Sequence, residues 1–265
     1  MAANRLGEFL RAHREAAQAA RHHGGTSRRR TPGLRREEVA ERAAISSDYY
    51  TRLEQGRERN PSPQVLDALA AALNLSPVET GYLRSLVGPA LATPIPTQTA
   101  VNEFLLLAMQ SWESGPAYIV NHRSDILALN ESAREIFEQF EVSDNILRML
   151  FLDPAAKQLW ADWDAFATFF VGGIRRIMGG AIDNDPATVA LIADVSAKSA
   201  AFAAMWDRQA MNVPDRKAKT FRSQNLGEVR LDFELLKAFD TPNQVLVVHR
   251  MPEHARQAYS SRGRP

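Results

Sequence analysis

The sequence predicts two domains of different class: an all-α domain of five short helices over 1–88, then an α+β domain over 100–252 with antiparallel strands and covering helices. Three observations carry this. Apolar residues recur at helical spacing through the first part of the chain. The segment GPALATPIPTQT at 88–99 holds three prolines and no charge, so a semi-extended linker is expected over 89–99. Beyond it, strand alternation appears, with Val229, Leu231 and Phe233 between Arg230, Asp232 and Glu234, as in a sheet with one wet face.

At 265 residues the chain suits two domains, and its 45% hydrophobic and 24% charged content supports a sizeable core and excludes wholesale disorder. Net charge is only +1, but residues 1–88 hold 14 Arg, no Lys and 10 acidic residues, while the remainder holds 18 basic against 21 acidic. The N-terminal part is therefore the basic half, as a phosphate-binding module should be. No cysteine is present, which removes disulfides, thiolate metal sites, Cys nucleophiles and cysteinyl-flavin chemistry. A cytoplasmic location is expected: the start, MAANRLGEFLRAHRE, is charged throughout and unlike a signal peptide. No run approaches the roughly 18 apolar residues of a membrane span.

From Asn4, the residues Leu6, Phe9, Leu10, His13 and Ala17 fall on one helix face, with Asn4 placed to cap it and His13 at the core edge. The stretch RHHGGTSRRRTPGLRR follows, with six Arg, two His and no acid between Arg21 and Arg36, and its Gly and Pro forbid a continuous helix. It reads either as a solvated loop or as a basic loop reaching sugar-phosphate, with Arg28, Arg29, Arg30 and Arg35 as the contacts. His22 and His23, adjacent on one chain, make a poor metal chelate.

LRREEVAERAAISSDYYTRLEQG, at 34–56, reads as two short helices joined by a tight turn. Val39, Ala40, Ala43 and Ala44 face inward on the first, Tyr50 and Leu53 on the second. Ser46 is a good N-cap, and Gly56 suits the left-handed position that stops a helix. Ser46, Ser47, Asp48 and Arg52 remain on an outer face, the pattern of a helix-turn-helix whose second helix sets its N-terminal residues on base edges. Arg52 can contact guanine O6/N7 bidentately. Asp48 either accepts from cytosine N4 or merely complements the positive helix N-terminus. Tyr49 is either a core residue or a phosphate-contacting hydroxyl; Thr51, Arg57 and Arg59 are placed for phosphate. Ser62-Pro63 and Ser76-Pro77-Val78-Glu79 open the fourth and fifth helices.

VAERAAISSDYYTRLEQGR resembles the helix-turn-helix of the lambda-repressor-like (Xre) regulators, down to the Leu-Glu-Gln-Gly ending. The longer TPGLRREEVAERAAISSDYYTRLEQGRERNPSPQVLDALAAAL is similar to the MmyB-type regulators of bacteria, over 5–87. The resemblance implies that Arg36, entering the second helix, contacts phosphate, that Ser46, Ser47, Asp48 and Arg52 read bases, and that Glu54 is structural.

In the second domain, helices are expected at 101–113, 131–140, 154–178, 186–198 and 199–209, and strands at 116–120, 125–129, 219–223, 228–236 and 244–249. Residues 253–265 are expected to fray. The order strand, polar turn, strand, Asn130, helix is similar to the start of PAS-like sensor domains. NILRMLFLDPAAKQLWADWDAFA, SAAFAAMWDR and GEVRLDFELLKAFDTPNQVLVVHR resemble the ligand-binding domain of the same MmyB-type regulators. That implies a PAS-like sensor with an apolar cavity for fatty-acid-like molecules. Its lining would be Tyr118, Phe151, Trp160, Trp163, Phe166, Phe170, Trp206, Phe221 and Phe233, with Arg222, His249 or Arg250 as polar anchor. The alternative is that these are plain core residues and surface charges. Ala128-Leu129-Asn130 stands where the family tends to have Trp before Asn.

The function expected is a ligand-responsive transcription regulator with no catalytic residue, metal site or cofactor. Its partners would be a double-stranded DNA operator, a small apolar ligand such as a fatty acid, and a second copy of the chain, the homodimer setting two heads ~34 Å apart. No membrane partner is expected. An enzyme reading finds no HExxH, GxSxG, GxGxxG after a strand, or Walker loop. A second sensor reading places haem or flavin in the PAS-like domain, with His122, His249 and His254 as candidate haem ligands.

Overall fold

A computed structural model describes residues 4–17, 33–87, 100–178, 185–209, 218–223, 227–239, 241, 243–253 and 255. Arg28, Arg29 and Arg30, the expected linker at 89–99 and the expected tail after 255 lie outside the described residues. The described residues fall into two compact units. One takes those within Met1–Pro94, Arg175–Val189 and Ala204–Met211; the other takes the remainder.

Five helices form the N-terminal part: α1 (Arg5–Ala16), α2 (Arg36–Arg42), α3 (Ser47–Glu54), α4 (Pro63–Ala72) and α5 (Pro77–Ser85). Their predicted apolar faces meet, with Phe9, Leu10, Val39, Tyr50, Leu53, Leu69 and Leu83 fully buried. Capping proceeds as the sequence indicates. The Asn4 side chain accepts from Gly7 N at 3.1 Å, Ser46 caps α3, and Ser76 with Glu79 forms a capping box on α5. Asn4 Nδ2 also donates to the Glu54 carbonyl at 2.7 Å, tying the start of α1 to the end of α3. A Cβ on Gly7 would come within 2.1 Å of that same carbonyl, so only glycine permits the approach.

Ala44 departs from expectation. It is exposed with φ 51, not inward on α2, because α2 ends at Arg42 and the turn uses one left-handed residue. The Ile45 amide then bonds back to the Ala40 carbonyl at 3.0 Å, closing the turn.

Glu54 is the buried charge of this unit. Its side chain is 2% exposed and accepts from Arg14 Nε at 2.6 Å and Arg36 Nε at 2.7 Å. Burial pushes the carboxyl up, but the hydrogen bonds from Arg14 and Arg36 outweigh it and hold the group below its ordinary value. Also in this unit, buried Arg175 lies 3.9 Å from the centre of the Trp206 ring and donates to Gln209 Oε1 and the Trp206 carbonyl.

The second part holds one five-stranded antiparallel sheet, order β2-β1-β5-β4-β3, from β1 (Ala117–Asn121), β2 (Ile126–Leu129), β3 (Ala218–Ser223), β4 (Gly227–Leu236) and β5 (Gln244–Arg250). Its helices are α6 (Glu103–Gln110), α7 (Glu131–Phe137), α8 (Ile146–Leu152), α9 (Ala155–Leu159), α10 (Trp163–Met178), α11 (Pro186–Lys198) and α12 (Ala200–Asp207). This is the α+β sheet-and-helix class expected. On one face, Leu105 and Met109 of α6 pack on Ala117, Ile119, Leu246 and Val248. Central β5 is therefore buried on both faces, whereas β4 keeps the predicted alternation. Asn130 locks the corner: its Oδ1 accepts from Ala117 N and Ala133 N, both at 2.9 Å.

Two helix expectations are corrected. The helix foreseen at 154–178 is two helices, because the chain leaves α9 at Trp160 to bridge Phe221, and the Ala161 amide donates to the Thr220 carbonyl of β3 at 3.0 Å. Sequence reading also passed over α8, which the Asn145 side chain caps at Leu147 N and Arg148 N.

Replacing Glu54 by Gln should lower stability by roughly 3 kcal/mol, since Arg14 keeps its charge in a largely buried place. The wild-type carboxylate's contribution is present above its ordinary pKa of 4.5 and is lost as pH falls through the depressed folded value. Urea denaturation of both proteins at pH 7 and in acid measures this; a loss under about 1 kcal/mol would discount the ion-pair tie.

Candidate functional site

The outer face of α3 follows from its inner one. Tyr50, Leu53 and Glu54 are buried, which at helical spacing leaves Ser46, Asp48 and Arg52 exposed and Ser47 and Thr51 half-buried. Arg52 lies 3.3 Å from Asp48 one turn earlier and 5.8 Å from the Tyr49 ring centre, so its guanidinium is held along the helix surface at solvent. Thr51 Oγ1 donates to the Ser47 carbonyl at 2.8 Å. Arg35, Arg57 and Arg59 are exposed around it, and Arg59 Nε donates to the Gly56 carbonyl at 3.0 Å. Arg36 is half-exposed, with Nε given to Glu54. The face offers hydroxyls, one carboxylate and several guanidinium groups on a convex helix, the equipment for hydrogen bonding to base edges and phosphates.

The sheet face away from α6 carries an aromatic layer. Tyr118 of β1, Phe221 of β3, Phe233 of β4 and His249 of β5 point into it, with ring centres of the other three 5.6–6.1 Å from that of His249. Trp160 stacks on Phe166 at 5.1 Å and meets Phe221 at 6.1 Å; Phe166 meets Phe170 at 5.9 Å. Phe151 and Trp163 pair at 5.5 Å, with Phe202 against Phe151.

Inside the layer lie two nitrogen groups. His249 is 1% exposed; its Nδ1 sits 3.3 Å from the Pro116 carbonyl, and its Nε2 has no described partner. Burial, with the nearby charge of Lys219, holds its pKa well below the ordinary value, so the ring is neutral with Nδ1 as donor. Lys219 is 9% exposed, its Nζ 4.4 Å from the Phe166 ring centre and 4.6 Å from that of Phe233. Burial alone brings its ammonium down to about 7.

Residues 101–260 match the family model of the MmyB-like transcription regulator ligand binding domain, and residues 5–83 match a helix-turn-helix domain. The chain belongs to the MmyB-like transcription regulators. It is thus a bacterial helix-turn-helix regulator with an MmyB-like ligand-binding domain. It is also similar to the HTH-type transcriptional regulator y4dJ of Sinorhizobium fredii, 44% identical over 70 residues that make up 26% of this chain and 82% of that protein.

In this MmyB-like regulator the residues expected to line a ligand site divide. Tyr118, Trp160, Phe166, Phe170, Phe221, Phe233 and His249 come together in the aromatic layer; Phe151 and Trp163 form a neighbouring pair, and Trp206 is held by Arg175. Arg222 and Arg250 do not join the layer. They stand exposed on the opposite strand face, paired with Glu228 at 3.3 Å and Asp232 at 2.9 Å. An open groove of about 680 Å³, bounded by α6, β2 and α7, is lined by Leu106, Met109, Leu127 and Arg134 among others, and none of the expected ligand residues borders it. Among the described residues no three His, Asp or Glu converge as metal ligands, and no helix is long and apolar enough to cross a membrane.

Lys219 was missed by sequence reading, although a signal existed: it precedes Phe221 by two in a strand and so shares its inward face. Replacing Lys219 by Met should stabilise the protein at pH 6.5 by an amount on the order of a few kcal/mol, because the folded form no longer encloses an ammonium. Wild-type stability should rise between pH 7 and the ordinary lysine value of 10.5, where only the unfolded chain stays protonated, and the Met variant should lack that rise. Parallel pH profiles by denaturation measure it; identical profiles would place Lys219 in water.

Proposed function

We propose that residues 1–88 read an operator while residues 100–252, joined through 89–99, sense a small apolar, fatty-acid-like molecule, the chain acting in the cytoplasm as a homodimer and as a sensor rather than a catalyst. Ser46, Ser47, Asp48 and Arg52 read base edges. Arg35, Arg36, Thr51, Arg57 and Arg59 contact phosphate, together with Arg28, Arg29 and Arg30. The observation that carries the reading is the division of α3, one face locked in the core and the other presenting Arg52 and its neighbours to solvent. The aromatic layer supports the sensing half, because apolar walls around few polar groups are what small-molecule sites use. Affinity for DNA should fall steeply with salt as counterions are released.

Two variants separate the roles. Arg52→Ala should relax base preference at one position by about 1–3 kcal/mol, while Arg57→Ala weakens all duplexes alike and shallows the salt dependence. Arg57 is the cleaner phosphate probe, since truncating Arg36 would also strip Glu54 of a partner. Binding to a randomised duplex library at two salt concentrations measures both effects; the same response from the two variants would refute the assigned roles.

A further inference from the structure

Lys219 extends from β3 into the aromatic layer instead of reaching water, its ammonium set over the rings of Phe166 and Phe233. Among the described residues it has no ion pair and no side-chain hydrogen bond. The charged groups on the neighbouring strands and on α10 face elsewhere. Glu228, Asp232 and Glu234 of β4 occupy the alternate, exposed positions; so do Arg222 of β3 and Arg250 of β5, and Asp164 of α10 is exposed. Facing the layer are the neutral ring of His249 and the phenol of Tyr118, whose ionisation burial suppresses.

Among the described residues this buried cation is flanked by rings and neutral groups, and what it lacks there is a single negative charge. Aromatic faces offset part of the desolvation, but a carboxylate offsets far more, because charge-assisted hydrogen bonds strengthen away from water. We propose that Lys219 is the head-group site of the sensor domain: it takes the carboxylate of an apolar monocarboxylic acid, head inward beside His249 and tail among the rings. This rests on reading the aromatic layer as the ligand site. A neutral lipid would leave the ammonium as it is, and a dianion would bring one charge too many. His249 Nε2, a lone pair without a described partner, can accept one N–H of the ammonium while the others meet the carboxylate.

The test is calorimetric titration of the full chain, wild type and Lys219→Met, with decanoic acid and decan-1-ol at pH 8, in two buffers of different ionisation enthalpy. Wild type should prefer the acid by at least ~10-fold. It should also take up about one proton per acid bound, since the amine is largely neutral at that pH and becomes an ammonium beside the carboxylate. The Met variant should lose the preference for acid over alcohol and take up no proton. Equal binding of acid and alcohol by wild type, or a Met variant that keeps preference and proton uptake, would overturn the inference while the alcohol's binding still upheld the layer as a ligand site. Failure of wild type to bind either probe would sink the layer reading and the inference with it.

Discussion

A carboxylate enclosed by three helices sets the form of the DNA-reading head. Glu54 sits at the end of α3, and its oxygens accept from Arg14 of α1 and Arg36 at the start of α2. Enclosing one charge alone would be severely unfavourable, so the helices hold together only in an arrangement that delivers both guanidinium groups to it. Asn4 adds a second tie, from the start of α1 to the Glu54 carbonyl, and Gly7 lets the backbones approach. With Tyr50, Leu53 and Glu54 fixed inward, helical spacing alone dictates that Asp48 and Arg52 face out. The exposed face of α3 is a consequence of what is buried behind it.

The ligand-binding domain treats charge differently. On the wet face of β3 and β4 and at the exposed end of β5, charges are paired across strands, Arg222 with Glu228 and Arg250 with Asp232, where such pairs contribute little. On the buried face stands Lys219, whose balancing groups are two aromatic rings. Strand parity explains how one short strand places Lys219 and Phe221 inside and Arg222 outside. It does not explain why a lysine should stand in an apolar layer, and the proposed ligand of opposite charge would supply that reason.

Much of this was legible in the sequence because it depends on local chemistry. Ser46, Ser76 and Asn130 cap where capping preference puts them, Gly56 adopts its left-handed turn, and β4 alternates as Val229, Leu231 and Phe233 require. What escaped depended on partners distant in sequence. Nothing local marks the end of α9 at Trp160, because the break is made by pairing with β3 some sixty residues on. Ala44 escaped because a non-glycine left-handed residue carries no compositional flag. Arg222 and Arg250 drew attention as ligand anchors and Lys219 did not, since a charged residue in an amphipathic strand defaults to the wet face. In the structure Arg222 and Arg250 are the exposed ones and Lys219 is the one turned inward.

The choice of lysine has a thermodynamic consequence for regulation. A ligand shifts DNA affinity only by the difference between its affinities for the two conformational populations of the protein. An arginine at this place would stay charged whether or not a ligand were present, and the layer would have to admit water or remain strained. A lysine can shed its proton and leave the layer dry and neutral until an anion arrives. If a carboxylate then docks, the charged pair forms only where the layer is closed around it, so the closed population gains and an opened one does not. The selectivity for an acid and the preference for one conformation would thus come from the same enclosed amine.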